Sequence, residues 1–343
     1  VKEEGKKQLR KLLRWLPGVL ISGIAIFLVF KILDLDWQGL SAAFARIKIE
    51  YLLIGVLLFL LSLVLRALGW RTILANKVSF PSAFFTMNEG YLLNNILPFR
   101  LGEVGRALLL GRSSGLGFFH VLSTILVERM YDITISACLV LASIPFVAGA
   151  TNASILAPVA LALAVIIFIL LFLLARNRTR VLGWFDGLEE RSKFVRRFIS
   201  PYLHNFINGL NFLDQWKYFL SATGWMISTW AVAFLEYYIV MKAFLPEAQL
   251  LWVTLCLGSL AIGVSIPSAP AYFGVFEMFV AGALVLFGVD HNIAFAYAVL
   301  IHFYHFLING LLGLLGLLRE GNSLSSIFSD IFRQKKTPDT IQE

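Results

Sequence analysis

The sequence predicts an all-α polytopic membrane protein, with six full transmembrane helices and two re-entrant helical hairpins arranged as an inverted repeat. Three observations lead there. Hydrophobic residues make up 59% of the 343-residue chain and charged ones 15%, mean hydropathy is +0.80, and several apolar runs exceed the roughly 18 residues that span a bilayer. Two further apolar stretches are broken internally, at Pro98-x-Arg100-x-Gly102-Glu103 and at Pro267-x-x-Pro270-x-x-x-Gly274-x-x-Glu277. Both breaks keep one downstream spacing, because Glu103 precedes Glu128 by 25 residues and Glu277 precedes His302 by 25.

The elements follow in order. A first span at 15–34 comes after a basic start and lacks a small-x-small cleavage pattern, so it is expected to be retained and not removed as a signal peptide. Trp37, Leu40, Phe44 and Ile47 recur at spacings of three or four and mark either an interfacial helix or an amphipathic connector packed on the bundle. The second span covers 51–75. From Phe84 to Ile96 the chain can be helical, until Pro98, which lacks an N–H, pushes Leu97 out of the α region; a short helix restarts near Gly102. Spans three and four cover 118–146 and 153–175, and Phe194, Phe198, Tyr202, Phe206 and Leu210 outline a second interfacial candidate. After a fifth span at 217–245, Leu250 to Ser265 is helical, residues 266–271 carry two prolines, Phe273 to Phe287 resumes, and a sixth span covers 291–318. Each hairpin limb is too short to cross. Its irregular backbone must therefore be shielded by protein or line a wet cavity, since lipid satisfies no free N–H or C=O.

All of this forms one integral membrane domain, divided as 1–50 (first span and interfacial helix), 51–146 (first repeat), 147–216 (connecting span and basic loop), 217–318 (inverted second repeat) and 319–343 (tail). Loop charges set the orientation. Six basic side chains lie in the first 14 residues, eight between 176 and 217, and four from Arg319 onward, whereas the opposite side holds Arg46, Lys48 and Lys242. Positive-inside logic places both termini and the middle loop in the cytoplasm, in a cell membrane. The net charge of +8 belongs to that face and suits anionic lipid, not nucleic acid.

The intramembrane charges carry the functional information. Arg66 lies within the second span, Arg100, Glu103 and Arg106 flank the first break, and Glu128, Arg129 and Asp132 fall inside the third span. A central Arg or Asp costs about 2.5 to 3.5 kcal/mol on insertion scales, so these groups should face one another or a hydrated cavity. Glu128 and Asp132 share a helix face at i,i+4, and Arg129 can reach Asp132 at i,i+3. A structural ion-pair cluster and a ligand site both fit; the expectation is a mixture, with at least one arginine left for a ligand. Arginine forks match phosphate oxygens bidentately, and Arg100 sits beside a helix start that also favours an anion. In the second half Glu236 and Glu277 are acidic and His302 and His305 are the candidate cations, so the cavity is expected to be polarised. The expected substrate-binding set is Arg66, Asn95, Pro98, Arg100, Glu103, Glu128, Arg129, Asp132, Glu236, Pro267, Pro270, Gly274, Glu277 and His302. Asn94 and Asn95 can equally satisfy loose backbone at the break. Glu89 and Arg106 are assigned to the fold.

Asn94-Asn95-x-Leu97-Pro98-x-Arg100-x-Gly102-Glu103-x-x-Arg106, then Ser123 ahead of Glu128-Arg129-x-x-Asp132, then Pro267-x-x-Pro270-x-x-x-Gly274-Val275-Phe276-Glu277, resemble the family of the lysylphosphatidylglycerol synthase transmembrane region. The resemblance spans nearly the whole chain. It implies a flippase-like fold with two re-entrant hairpins that moves phospholipid or lipid-linked sugar between leaflets, with aminoacyl-lipid synthesis confined to a soluble domain expected to be missing here. Two departures stand out: Ala271-Tyr272 where relatives tend to carry Gly-Gly, and His302 where they often carry arginine. The bulk of Tyr272 narrows any backbone approach to a ligand, and histidine titrates near neutral pH whereas arginine does not.

No phosphate loop of the G-x-x-x-x-G-K-[ST] type is present, and no H-E-x-x-H or cysteine–histidine spacing suggests a metal. Cys138 and Cys256 lie within apolar runs and read as packing residues. No cofactor is expected, and the chain is expected not to be an enzyme. The expected partners are membrane lipids, anionic phospholipid or a lipid-linked headgroup, with a second copy of the chain or a membrane enzyme as further candidates. Two alternatives stay open: an ion-coupled small-solute carrier, in which Glu103, Glu236 and Glu277 bind protons or sodium, and an intramembrane enzyme acting on a phospholipid headgroup.

Overall fold

A computed structural model describes residues 36–45, 47–147, 215–265 and 270–321, with isolated positions at 31 and between 162 and 184. Among these residues every regular element is a helix: α1 (Trp37–Ala45), α2 (Ile49–Ile73), α3 (Phe80–Ile96), α4 (Leu101–Ser113), α5 (Phe118–Ser143), α6 (Trp216–Phe244), α7 (Leu250–Ser265), α8 (Val275–Val285) and α9 (His291–Glu320), with single 3-10 turns at Ile144–Phe146 and Pro270–Tyr272. Apart from those isolated positions, the spans expected at 15–34 and 153–175, the interfacial helix at 194–210, Pro267 and the tail past 321 lie outside the described residues.

Three of these helices, α2, α6 and α9, are long and apolar enough to cross a membrane, with mean hydropathy of 2.5, 1.3 and 1.7. Helix α5 has 26 residues, but Glu128, Arg129 and Asp132 within it offset its apolar character. Local signals set the ends. Ser79 Oγ accepts the Ser82 N–H at the start of α3, Asp290 caps the N–H groups of Asn292 and Ile293 in α9, and Gly321 at φ 68° closes α9 in the left-handed conformation. Helix α1 buries Leu40 and Ala43 but leaves Trp37 and Phe44 exposed. It is tied to the start of α9 through Asp36, which exchanges hydrogen bonds of 3.1 and 3.0 Å with Asn292.

Helices α3 and α4 form one hairpin and α7 and α8 another. In the first, a Cβ built on Gly102 would lie 2.1 Å from Gly90 O and 2.5 Å from Asn94 Oδ1. The limbs thus meet backbone to backbone. In the second, Ser259 Oγ donates to Phe279 O at 3.3 Å and Cys256 Sγ reaches Val280 O at 3.6 Å. Small residues permit such approaches where no hydrophobic difference between lipid and side chain drives helices together. Gly102→Ala is therefore expected to destabilise by about 1 to 3 kcal/mol, read as a lower melting midpoint in detergent. Gly282→Ala in α8, where an added Cβ has nothing within 4 Å, is expected to leave the midpoint unchanged or higher.

Around the hairpins, α2 packs along α6, α3 along α9, and α5 along α7. Exchanging α2–α5 for α6–α9, in order, returns the same principal neighbours: α3–α9 becomes α7–α5, α4–α5 becomes α8–α9, and α2–α6 maps onto itself. The buried core runs between the two sets through Trp70, Met87, Ile125, Tyr237 and Tyr297.

The two breaks share a conformation. Phe99 and Arg100 have φ of 60° and 56°, and Ala271 and Tyr272 have 54° and 60°. Each of these L-residues is held left-handed, at roughly 1 to 2 kcal/mol apiece. Surrounding contacts must hold both breaks in place.

Candidate functional site

Where the breaks face each other lies a cavity of about 270 Å³. Arg66 from α2, Arg100, Glu103 and Arg106 from the α4 segment, and Arg129 and Asp132 from α5 form one wall; Ala271, Tyr272, Phe276, His302 and His305 form the opposite one. A second cavity of about 200 Å³ adjoins it, reaches Glu236 and Phe59, and shares Arg66, Tyr91, Trp230, Tyr237 and His305.

Ionic contacts order the first wall. Glu128, fully buried, accepts from Arg66 Nε at 2.7 Å, Arg106 Nη2 at 2.7 Å and Arg129 Nη2 at 3.1 Å. Asp132 receives Arg66 Nη2, Arg129 Nη1 at 3.0 Å and the Trp230 indole N–H at 3.1 Å. The i,i+4 spacing of the two carboxylates lets the single guanidinium of Arg66 bridge them. Arg106 also lies over the Trp70 ring at 3.4 Å from its centroid, and that indole N–H is anchored on Thr124 Oγ1 at 3.1 Å.

At the mouth of the first break the pairing is looser. Glu103 Oε1 lies 3.1 Å from Arg100 Nη2 and 3.4 Å from Arg129 Nε, within ion-pair range. Yet Glu103 Oε1, Arg100 Nε and Arg129 Nε are buried without a hydrogen bond of acceptable geometry. The distances record attraction; the angles leave hydrogen-bonding capacity open. Counting the wall together, Arg66, Arg100, Arg106 and Arg129 oppose Glu103, Glu128 and Asp132, four cations against three anions. One positive charge is in excess within this wall, beside three buried N–H donors with no acceptor, the Nε–H groups of Arg100, Arg106 and Arg129. That arrangement can receive an anion.

The opposite wall is built on carboxylate–imidazole pairs. His302 Nδ1 lies 2.6 Å from Glu277 Oε1, His302 Nε2 is 2.7 Å from Ala271 O, and Glu277 Oε2 accepts the Gly274 N–H at 2.7 Å. The 25-residue spacing between Glu277 and His302 thus marks a direct contact, whereas the Glu103–Glu128 spacing marks two carboxylates linked through Arg129. Glu236 Oε1 accepts from Tyr304 OH at 2.5 Å and lies 2.5 Å from His305 Nε2. His305 stacks on Phe59 with centroids 3.8 Å apart.

Of the residues singled out from the sequence, Arg66, Asn95, Arg100, Glu103, Arg129, Asp132 and His302 line the first cavity and Glu236 the second. Glu128 lies behind the arginines, Glu277 behind His302, and Gly274 at the start of α8. Pro98 is buried and Pro270 half-buried, and neither is on the cavity wall. Their part is to break the helix. Asn94 Oδ1 accepts the Gly102 N–H at 2.8 Å, and Asn95 Nδ2 donates to Phe306 O at 3.2 Å, so both asparagines satisfy backbone and both line the cavity as well. Arg106, assigned to the fold, is also part of the wall. Trp70 and Trp230 were not singled out; an indole within an apolar helix, whose N–H needs a partner, was the available signal. Glu89 is buried away from the cavity, with neither oxygen hydrogen-bonded.

Residues 15–313 match the family described as Lysylphosphatidylglycerol synthase TM region, and the chain belongs to that family. It is a membrane protein of a family connected with lipid. No curated protein and no solved structure matches it.

Proposed function

We propose that this member of the family moves a lipid with a phosphate-bearing headgroup between leaflets through the cavity between the two breaks, without altering it chemically. The observation that carries this reading is the excess guanidinium charge with unfilled donors at Arg100 and Arg129. A cavity of about 270 Å³ is near the lower end for ligand sites, the size of a headgroup and not of acyl chains. Acyl chains would remain in the bilayer while the headgroup crosses.

The same reading takes the α3–α4 and α7–α8 pairs as re-entrant hairpins of an inverted repeat with both termini cytoplasmic. Three features support it: limbs of 11 to 17 residues, too short to span; matching neighbours on exchange of the two halves; and tandem left-handed residues at both breaks. Phospholipid, aminoacylated phospholipid and lipid-linked sugar all present the required phosphate.

The test is reconstitution of the full chain into phosphatidylcholine vesicles with a trace of headgroup-labelled phosphatidylglycerol. Exchange between leaflets faster than in protein-free vesicles, with the label's mass unchanged, is the expected result. Exchange equal to empty vesicles removes the proposal, and a change in mass turns the reading to an enzyme.

A further inference from the structure

We infer that the His302–Glu277 pair is a proton-binding site that couples movement of the lipid to a proton gradient; the coupling rests on the transport reading above, the proton site does not. A backbone carbonyl only accepts, so the 2.7 Å contact to Ala271 O requires the hydrogen of His302 on Nε2. Nδ1 then faces Glu277 Oε1 at 2.6 Å. A bare imidazole nitrogen and a carboxylate oxygen are both acceptors, and they do not approach this closely without a proton between them. Turning the ring would put carbon at both contacts and lose them. The pair therefore holds one proton more than neutral imidazole plus carboxylate, whichever atom carries it, and is neutral as a unit.

Releasing that proton to water in the cavity breaks one N–H or O–H bond and leaves a net charge of −1 on a pair only 5% and 7% exposed. Lone pair would face lone pair, and the contact must open. The same two side chains hold the second break, His302 through Ala271 O and Glu277 through the Gly274 N–H. Ala271 and Tyr272 keep their left-handed conformation only under such constraint, and the Tyr272 ring centroid is 5.9 Å from the Arg100 guanidinium. Loss of the proton thus loosens the break that faces the anion-receiving end of the cavity.

The surrounding charges set the sign of the coupling. Across the cavity from His302 stand Arg66 of α2, Arg100 and Arg106 with Glu103 at α4, and Arg129 with Asp132 on α5. An anion in the cavity offsets the guanidinium charge of these arginines and favours the proton on the pair, so proton and phosphate each strengthen the binding of the other. The remaining titratable neighbours are Tyr91 of α3, Tyr237 and Glu236 of α6, Tyr272 at the break and His305 on α9 itself. His305 differs from His302, because a neutral Nε2–H tautomer satisfies its contact with Glu236. The geometry demands an extra proton only at His302.

The experiment uses the full chain in phosphatidylcholine vesicles with headgroup-labelled phosphatidylglycerol and an entrapped pH dye. A pH gradient is expected to speed exchange at least about fivefold in one direction, with proton entry that requires the anionic lipid. In His302→Gln and Glu277→Gln the ratio of rates with and without the gradient is expected to fall to about one, whatever the basal rate. Exchange in the wild type that ignores the gradient, or a ratio unchanged in both variants, overturns the coupling while leaving the transport reading intact. Exchange equal to empty vesicles ends both the transport reading and the coupling, and the proton site is then decided on the wild type by solid-state NMR of the protein's five ¹⁵N-labelled histidines. One ring with Nε2 protonated and a proton shared at Nδ1, lost in a single step as pH rises, supports the site; a bare Nδ1 at every pH overturns it.

Discussion

Glu128→Gln is expected to destabilise the protein by about 3 to 5 kcal/mol, the range for removing one partner of a buried ionic cluster. Glu128 is fully buried and receives three guanidinium groups, from Arg66, Arg106 and Arg129. Glutamine keeps one acceptor oxygen but removes the charge, leaving four arginines against Glu103 and Asp132. The measurement is the melting midpoint in detergent followed by tryptophan fluorescence, together with the yield of monodisperse protein. Pairing the change with Arg106→Met should recover part of the loss, since removing both partners costs less than stranding one. Recovery will be incomplete, because Arg106 also gives up its contact with Trp70. A loss under about 1 kcal/mol for Glu128→Gln would mean that the cluster is hydrated and behaves as a surface pair.

Arg100→Ala is expected to leave the fold intact and slow lipid exchange roughly ten- to hundredfold, the equivalent of about 1.5 to 3 kcal/mol for lost hydrogen bonds to a charged group. The backbone argument favours this choice of variant. Arg100 already sits at φ 56°, and alanine meets the same left-handed penalty, so the conformational cost of the break is unchanged. The side chain has a loose contact with Glu103, lies 5.9 Å from the Tyr272 ring centroid and keeps an Nε–H without an acceptor, so the native bonding lost is limited to the two break segments. Arg100→Lys keeps the charge but not the fork and should fall between wild type and alanine. Equal exchange in all three proteins would remove Arg100 from the headgroup's path and leave its charge a purely structural role.

Much of this was legible in the residues. Helix α7 begins at Leu250 and ends at Ser265 as its apolar run indicates, and α3 ends at Ile96, one residue before the segment that Pro98 disturbs. Proline chemistry is local, so its consequence is readable locally. The left-handed pairs at Phe99–Arg100 and Ala271–Tyr272 were not readable, because none of the four is glycine and each is held there by contacts distant in sequence. Arg129 reaches Asp132 as helical spacing predicts. By contrast Arg66 chooses Glu128 and Asp132 from more than 60 residues away, and Trp230 reaches Asp132 across 98.

By itself, then, the chain's chemistry determined an all-helical membrane class, the two interrupted stretches and the residue types that cannot rest against lipid. These follow from solvation and backbone sterics, which act on each segment independently of the others. Only the tertiary structure decided which arginine meets which carboxylate, that four arginines gather with three carboxylates on one wall of the cavity, and that His302 lies 2.6 Å from Glu277. Those outcomes depend on angstrom-scale distances between helices, over which hydrogen bonds are made or lost, whereas the hydrophobicity of a segment is independent of them.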